Sequence, residues 1–387
     1  MPAASRIGTF ATTRTGGETV RAYVPTALPP RPPLDLARLQ KPLEAAQIAI
    51  GRLEGVSSIL PDADRFIYAY VRKEAVLSSQ IEGTQSSLSD LLAFEADRQV
   101  SSDDLRETSN YVSAMTHGLA RLREGFPLSS RLIRDIHREL LASGRGSLKD
   151  PGEFRRSQNW IGGTRPGNAI FVPPPPHLVE GLMSDLEKYL HDDSDPLPLL
   201  LRAGLAHVQF ETIYPFLDGN GRVGRLLITF LLCAGGTLTQ PILYLSLFLK
   251  QHRSRYYDLL QAVRTKGVWE DWLEFFLEGI AVTAAEAAQT AQSMRALFQQ
   301  DKNLLSQSGR QGLTALRIVE AMQTQPVTSA KSLVEQTGLS LPTVGRAIET
   351  LQKIGMIDEI TGKQRDRIYA YTDYIALLNA GAEPLPS

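Results

Sequence analysis

The chain has 387 residues, a hydrophobic share of 43% and a charged share of 21%, the composition of a soluble globular protein with more than one domain. The formal net charge of -1 excludes a general attraction to nucleic acid or anionic lipid, so binding of either would need a local basic patch. The single cysteine, Cys233, excludes a disulfide framework and a multi-thiolate metal site. No leader-like N-terminus or apolar run of about 20 residues is seen, which favours a cytoplasmic protein without a membrane partner.

The first third of the chain predicts an arm followed by helices. Prolines in TALPPRPPLDL fix the backbone and remove hydrogen-bond donors, so residues 1–37 are expected to form an extended N-terminal arm. Apolar residues then recur at helical spacing, as between Leu39 and Leu53. This periodicity predicts a helical subdomain over 38–125.

A different texture follows in PGEFRRSQNWIGGTRPGNAIFVPPPP at 151–176. Gly-Gly and Pro-Gly pairs punctuate two short β-prone runs, NWI and AIFV, which predicts a β-hairpin or flap. Helical periodicity on both sides of this segment predicts a mostly helical core over 126–300.

The C-terminal part has the pattern of a winged helix-turn-helix over 311–375. Three short helical segments precede the hairpin-like DEITGKQRDRIYAYT, with Gly338 expected at the turn and Ser340 as the cap of the next helix. Lys and Arg do not outnumber Asp and Glu over 311–387, so strong DNA binding is weakly supported. A local patch could still form from Arg346, Lys353, Lys363, Arg365 and Arg367. Residues 376–387 are expected to form a tail.

The segment HVQFETIYPFLDGNGRVGR at 207–225 carries the strongest site signal. GNGRVG matches the dinucleotide-binding pattern, but turn-like residues precede it instead of a buried strand, and βαβ alternation is missing. Such a loop opening into a helix presents backbone N–H groups to phosphate oxygens. Arg222 and Arg225 would add charge-assisted bonds and Asp218 a hard oxygen ligand for Mg²⁺. A nucleotide triphosphate with magnesium fits these parts; glycine-rich caps between packed helices, with the arginines in surface ion pairs, are the alternative.

The same string closely resembles the signature of the Fic family of protein adenylyltransferases: a histidine, then Pro-Phe, an acidic residue, Gly-Asn-Gly-Arg and a second arginine. The segments 71–88, 153–172 and 249–264 also look like bacterial Fic proteins with a C-terminal winged helix. The resemblance implies a mostly α fold, a Fic-type helical bundle with a β-hairpin flap, plus a winged helix domain. It also implies transfer of AMP from ATP to a Ser, Thr or Tyr hydroxyl of a target protein.

Residue roles follow from this resemblance position by position. Asp218 would bind magnesium, Arg222 would contact the α- and β-phosphates, and Arg225 the γ-phosphate. Gly219, Asn220 and Gly221 would form the anion cradle, and Phe216 would anchor the loop in the core. The flap from Gly162 to Ile170 would hold an extended segment of the target by main-chain pairing. The full nucleotide-binding set that the resemblance implies is Phe216, Gly219, Asn220, Gly221, Arg222, Gly224, Arg225 and, near the adenine, Tyr256 and Tyr257.

One position departs from the family pattern, because Tyr214 stands where the family has its general-base histidine. A phenol titrates near 10 and is only about 0.1% ionised at pH 7, and general-base help contributes about 10²–10⁴-fold in rate. Low activity with intact nucleotide binding is therefore expected. A substitution introduced to trap an inactive form, a natural pseudoenzyme and a variant chemistry that uses the phenol all stay open. His207 is interpreted as a packed structural histidine, since it lies about two turns lower on the preceding helix.

A second feature expected to lower activity is the segment SSQIEG at 78–83, which resembles the family's inhibitory motif. Ser78 and Glu82 are expected on one helical face followed by Gly83, with Glu82 pairing with Arg225 and occupying the charge meant for the γ-phosphate. An ordinary solvated glutamate near a helix-capping glycine is the alternative.

Two further functions remain open at this point. The chain could be a catalytically silent nucleotide-binding regulator that acts through the winged helix, by DNA contact, protein contact or formation of a homodimer. It could also remove AMP from a modified protein, with Glu82 orienting a water.

Overall fold

The structure is a computed structural model that describes residues 6–58, 63–97 and 102–384, without the side chains of 63–65. It is mostly helical and divides into two compact units. Unit 1 comprises Met1–Ile50, Asn110–Thr239 and Phe248–Val282, and unit 2 comprises Gly51–Ser109, Gln240–Leu247 and Thr283–Ser387. Every helix within the described ranges is too short or too polar to span a lipid bilayer.

The helices and strands are numbered along the chain. The helices are α1 (Leu36–Ser58), α2 (Ala63–Ile81), α3 (Leu88–Ala96), α4 (Asp103–Arg123), α5 (Ser130–Leu140), α6 (Pro176–Leu190), α7 (Leu199–Ile213), α8 (Asn220–Ala234), α9 (Ser246–Gln251), α10 (Arg253–Lys266), α11 (Trp269–Ser306), α12 (Gly309–Thr324), α13 (Ala330–Thr337), α14 (Leu341–Lys353) and α15 (Thr372–Asn379). The strands are β1 (Thr9–Thr15), β2 (Glu18–Val24), β3 (Val327–Ser329), β4 (Ile357–Glu359) and β5 (Ile368–Tyr371).

The centre of unit 1 is the helix pair α7 and α8, whose residues are buried along nearly their whole length. Close approach at this centre depends on small residues. A Cβ on Gly224 of α8 would lie 2.3 Å from Oε1 of Glu211, and a Cβ on Gly118 of α4 would lie 2.4 Å from Cζ of Phe230. Both distances are far inside van der Waals contact, so a side chain at either glycine would force its neighbour to move.

The N-terminal arm contains a β-hairpin that the proline pattern did not predict. Strands β1 and β2 pair antiparallel, with Thr9 opposite Val24 and Thr15 opposite Glu18. They are joined by Gly16 and Gly17, both at positive φ (56° and 80°), the conformation that two-residue hairpin turns require. The arm expected over 1–37 is thus only partly extended.

Unit 2 contains the winged helix-turn-helix. Helices α12, α13 and α14 precede a three-stranded antiparallel sheet of order β3-β5-β4. Gly338 ends α13 in the left-handed conformation at φ 67°, as expected at the turn. Ser340 is the N-cap residue of α14, but its hydroxyl bonds Oγ1 of Thr343 at 2.8 Å instead of a backbone N–H.

The expected tail at 376–387 is part of the packed unit 2 wherever the structure describes it. Helix α15 runs to Asn379, and Ala382 is buried. Two buried side chains of α2 donate to backbone carbonyls of this segment, Lys73 Nζ to Ala380 at 2.8 Å and Gln80 Nε2 to Ala382 at 3.0 Å. We call residues 372–382 the C-terminal latch; residues 385–387 lie outside the described part.

Candidate active site

The site begins where α7 ends. Tyr214 is the C-cap residue of α7 in the left-handed conformation, φ 50° and ψ 60°, and its N–H donates to the carbonyl of Phe210 at 2.9 Å. A non-glycine residue in this conformation costs on the order of 1–2 kcal/mol. The surrounding structure must therefore hold the backbone of position 214 in place.

Arg155, which the sequence analysis missed, holds that backbone. Its buried guanidinium donates from Nε to the carbonyl of Tyr214 at 2.8 Å and from Nη2 to the carbonyls of Pro174 (2.5 Å) and Ile213 (3.3 Å). The backbone N–H of Arg155 also donates to the carbonyl of Pro215 at 2.9 Å. Burial lowers the pKa of Arg155 to about 10, so the side chain stays charged at neutral pH.

Phe216 is buried and anchors the loop, as the resemblance implied. Its ring stacks on His137 of α5, with centroids 3.7 Å apart and planes within 6°. Nδ1 of His137 accepts the N–H of Gly152 at 2.8 Å, so Nε2 carries the proton and donates to the carbonyl of Asp218 at 3.0 Å. Burial lowers the pKa of His137 to about 4. This neutral histidine, also missed from sequence, fixes the loop without offering a base.

The side chain of Asn220 closes the loop. Its Oδ1 accepts the N–H of Phe216 at 2.9 Å, and its Nδ2 donates to the carbonyl of Phe216 at 2.8 Å. Both ends of the buried amide are therefore engaged within the loop. An anion cradle at Asn220, as the resemblance implied, would have to use its backbone N–H.

The carboxylate of Asp218 stands at the edge of the loop with 39% of its side chain exposed. Its Oδ1 accepts the N–H of Gly219 at 2.6 Å and lies 3.8 Å from Nη2 of Arg222. The Oδ2 faces Gly146, where an added Cβ would come within 2.9 Å. Space around this carboxylate thus depends on a glycine that the sequence analysis did not single out.

Helix α8 starts directly behind this carboxylate. Gly219 is its N-cap residue at φ 75°, and the first N–H groups of a helix have no acceptor within it. Arg222 and Arg225 on the first two turns are buried and are not surface side chains. This disfavours the alternative of surface ion pairs. The dipole of α8 and the two arginines favour an anion at this place.

The donor set fits a magnesium nucleotide but not a protein-enclosed metal centre. Within the ranges that the structure describes, no group of three or more His, Cys, Asp or Glu side chains could hold a metal ion. Magnesium is commonly held by one or two carboxylates together with phosphate oxygens and waters. Asp218, beside a helix start suited to phosphate, is consistent with that arrangement.

His207 is the packed histidine that the sequence analysis expected. Its Nδ1 bonds the carbonyl of Gly224 at 3.0 Å, its Nε2 bonds the hydroxyl of Tyr256 at 2.8 Å, and its ring stacks on Trp272. Burial lowers the pKa of His207 to about 3. His207 therefore links α7, α8 and α10 and is neutral at physiological pH.

The two tyrosines expected near the adenine differ in exposure. Tyr256 is 1% exposed, and its hydroxyl bonds His207, so its ring offers no face to a ligand. Tyr257 is 41% exposed and packs against Tyr256 and below the guanidinium of Arg253. Contact of Tyr257 with an adenine stays a prediction.

The flap is a hairpin held by one isolated β-bridge between Ile161 and Phe171. The N–H of Ile161 donates to the carbonyl of Phe171 at 2.8 Å, and the N–H of Ile170 donates to the carbonyl of Ile161 at 2.9 Å. The hairpin rests on the N-terminal hairpin, because the N–H of Tyr23 donates to the carbonyl of Val172 at 2.9 Å. Ile170 is 71% exposed, so the flap presents an apolar side chain next to this bridge.

The expected inhibitory motif forms the C-terminus of α2 in unit 2. The sequence predicted that Glu82 lies on the helix together with Ser78. The helix instead ends at Ile81, and Glu82 is its C-cap residue. Gly83 at φ 101° and the bonds from Gly83 N–H to Gln80 and Thr84 N–H to Ser79 form a Schellman motif. Ser78 is buried and Glu82 is exposed. The glycine thus fixes the turn that presents Glu82.

Comparisons with known proteins agree with this architecture. Residues 40–120 match the family model "Fic/DOC family N-terminal", 127–232 match "Fic/DOC family", and 313–358 match "Winged helix-turn-helix DNA-binding". Over 233 residues the chain is 31% identical to "Protein adenylyltransferase Fic" of Drosophila willistoni, covering 59% of this chain and 43% of that protein. Over 130 residues it is 38% identical to the protein of the same name from Culex quinquefasciatus, covering 33% of this chain and 23% of that protein.

Solved structures show the same fold. A Fic family protein from Desulfovibrio desulfuricans superposes with a TM-score of 0.56 at 19% identity, over 87% of this chain and 96% of that one. A Fic domain containing signaling protein from Bacteroides thetaiotaomicron superposes with a TM-score of 0.53 at 17% identity, over 64% of this chain and 95% of that one.

The fold and the loop define a Fic-domain protein with an N-terminal helical region and a C-terminal winged helix-turn-helix. The chain therefore contains the N-terminal and the central domain of Fic/DOC proteins. It spans less than half the length of the curated relatives it matches.

Proposed function

We propose that the chain is a protein adenylyltransferase core that binds ATP with magnesium at the 214–225 loop and transfers AMP to a hydroxyl of a target protein. The observation that carries this proposal is the loop itself. A half-exposed Asp218, a glycine-started helix and two buried arginines stand together at the end of α7. The matched relatives bear the name of a protein adenylyltransferase.

The proposed reaction has a simple atom balance. The target's hydroxyl oxygen attacks the α-phosphorus of ATP, the bond from that phosphorus to the bridging oxygen breaks, and pyrophosphate leaves. Magnesium, when bound, would neutralise phosphate charge. Arg222, Arg225 and the start of α8 would stabilise the charge that develops on the phosphates. The hydroxyl proton needs a base, and the phenol of Tyr214 is poorly matched to neutral pH.

The test restores the base and removes the proposed brake. The Tyr214→His, Glu82→Gly protein is incubated with cell lysate and ATP labelled either at the α- or at the γ-phosphate. We expect α-label on protein, increased by about 10²–10⁴-fold over the unchanged chain, and no γ-label. Adding Asp218→Asn should abolish the signal. Protein labelling from the γ-phosphate, or none from the α-phosphate, would contradict AMP transfer.

Autoinhibition by Glu82 is a separate part of the proposal. It is supported by the motif and by the Schellman turn that fixes the C-cap position of α2. If the charge of Glu82 acts on Arg225, then Glu82→Gln and Glu82→Gly should both increase α-labelling in the Tyr214→His background. Glu82→Asp, which keeps the charge on a shorter side chain, serves as the comparison. Equal labelling with and without Glu82 would remove this part of the proposal.

A nucleotide-binding regulator is the second candidate function. The observation in its favour is that α2, which ends in the motif, and the winged helix belong to the same compact unit, with Gln80 bonded to the C-terminal latch. The exposed charges of the winged helix suit DNA contact only in part. Arg346 and Lys353 on α14 are exposed, whereas Lys363 forms an ion pair with Asp97. Leu341 is 59% exposed on the same helix, which suits protein contact or a homodimer.

Two measurements separate these alternatives. ATP binding by the unchanged chain, measured by calorimetry, together with a DNA gel shift that weakens with salt and with Arg346→Ala, would favour the regulator. In the second measurement, a protein is first labelled by the Tyr214→His, Glu82→Gly form and is then incubated with a chain that keeps Glu82. Release of AMP in this second step would favour removal of AMP as the function. In that case Glu82→Gln should abolish the release.

A further inference from the structure

Two buried arginines cap the C-terminus of α7. Arg264 of α10 donates from Nη2 to the carbonyl of Glu211 at 2.9 Å and from Nε to Oγ1 of Thr212 at 3.2 Å. Arg155 donates to the next carbonyls, those of Ile213 and Tyr214. The last carbonyls of a helix have no partner within it and carry partial negative charge. Four consecutive residues, 211–214, are thus held by two cations.

The same two side chains also hold both strands of the flap. The guanidinium of Arg264 lies 3.9 Å above the ring of Phe171, a cation–π contact with the second strand. Arg155 donates from Nη1 to the carbonyl of Ser157 at 3.3 Å and from Nη2 to that of Pro174, where the hairpin begins and ends. We call Arg155 and Arg264 the arginine clamp, because each contacts the end of α7 and the flap.

Stability alone is a weak reason for this arrangement. Both guanidinium groups are buried and donate to carbonyl and hydroxyl oxygens, and burial lowers the pKa of each to about 10. Removing a charge from water costs several kcal/mol, and apolar residues of similar volume often stabilise a core as well. A planar, multiply bonded cation does offer fixed geometry between two segments.

We propose that the arginine clamp consists of positioning residues that fix the flap relative to position 214, so that a hydroxyl held along the flap is placed for transfer. This rests on the proposed function. The two sides of the flap share one isolated bridge. The flap also bonds the N-terminal hairpin through Val172 and the 214–225 loop through Asn159, and the arginine clamp is the contact that reaches the end of α7. The clamp contacts the backbone of position 214, so it acts on whatever side chain stands there.

The experiment places Arg264→Lys and Arg155→Lys separately in the Tyr214→His, Glu82→Gly background. Lysine keeps the charge but loses the planar fork. The matched controls are Arg255→Lys on α10 and Arg156→Lys beside Arg155, both exposed. Three quantities are measured: hydrogen exchange at the amides of Ile161 and Ile170, the ATP dissociation constant, and α-labelling of lysate protein.

We expect the clamp variants to speed flap exchange by about tenfold or more and to reduce labelling by about tenfold or more, with ATP affinity within about threefold of the parent. The controls should change none of these. Unchanged flap exchange in both clamp variants would overturn the proposal, and so would a loss of ATP affinity that matches the loss of labelling. If the parent itself labels nothing, AMP transfer fails, while the exchange data still decide whether the clamp holds the flap.

Discussion

Replacing Asn220 by aspartate probes the loop with almost no change of shape. The new carboxylate can still accept the N–H of Phe216 through one oxygen. The other oxygen would replace Nδ2 and face the carbonyl oxygen of Phe216 across 2.8 Å. A donor–acceptor pair thus becomes two acceptors in contact, in a position that is 1% exposed.

The magnitude follows from the contacts that are lost. One buried hydrogen bond contributes about 1 kcal/mol, and leaving the Phe216 carbonyl without its donor costs about 1–3 kcal/mol. We therefore expect Asn220→Asp to lower the free energy of unfolding by roughly 2–4 kcal/mol at pH 7. The apposed oxygens favour the protonated acid, which restores the donor. The pKa of the new carboxyl is thus raised in the folded state above its unfolded value near 4.

This raised pKa gives the prediction its sign. A group with a raised folded pKa stabilises the fold below its unfolded pKa, and that contribution is lost as pH rises through the folded pKa. The difference in thermal midpoint between Asn220→Asp and the unchanged chain should accordingly narrow as pH falls from 7.5 to 5. Asn220→Ala, which has no titrating group, should show a constant difference. If Asn220→Asp lowers the thermal midpoint by the same amount at every pH, or does not lower it at pH 7.5, then the two hydrogen bonds of Asn220 do not close the loop as described.

Three further predictions concern packing, protonation and the latch. Gly118→Ala should lower the thermal midpoint through about 1–3 kcal/mol of overpacking against an aromatic ring of α8, whereas Gly181→Ala, which meets nothing within 4 Å, should raise it slightly. The free energy of unfolding should fall as pH is lowered from 6.5 to 4. In this range His137, whose pKa is lowered to about 4 in the folded state, binds its proton only on unfolding. His137→Gln should reduce this slope by roughly 1.4 kcal/mol per pH unit in urea titrations. Truncation after Asn379 removes one of the two carbonyls that accept from Gln80, that of Ala382, and should increase α-labelling in the Tyr214→His background, measured against the full chain. Unchanged labelling would show that the latch does not act on the motif.

The fold class was readable from sequence because its signals are local. Helical periodicity, the Gly-Gly and Pro-Gly pairs of the flap and the order of elements in the winged helix each depend on neighbouring residues. The N-terminal hairpin was missed because the prolines after it dominated the interpretation, although Gly16-Gly17 between β-branched runs was its signal. The latch was missed because nothing local distinguishes a packed C-terminal helix from a tail.

The candidate site divides in the same way. The loop residues stand in one continuous string, so their spacing predicted that they act together. The residues that hold the loop come from elsewhere in the chain: His137 from α5, Arg155 from before the flap and Arg264 from α10. A histidine or arginine in isolation gives no sign of burial, because these residues are usually exposed. Only the fold reveals that they are neutral or bonded to carbonyls here.

The loop joins the negative end of α7 to the positive end of α8, and each end has its own counter-charge. The arginine clamp donates hydrogen bonds to the carbonyls at the end of α7, and a phosphate would accept hydrogen bonds from the N–H groups at the start of α8. Two backbone contacts help to hold position 214 in its left-handed conformation, one through its own N–H and one through the carbonyl bonded to Arg155. Both contacts remain available when the side chain at 214 is changed. Tyr214→His therefore keeps these backbone contacts while it changes the chemistry of the base.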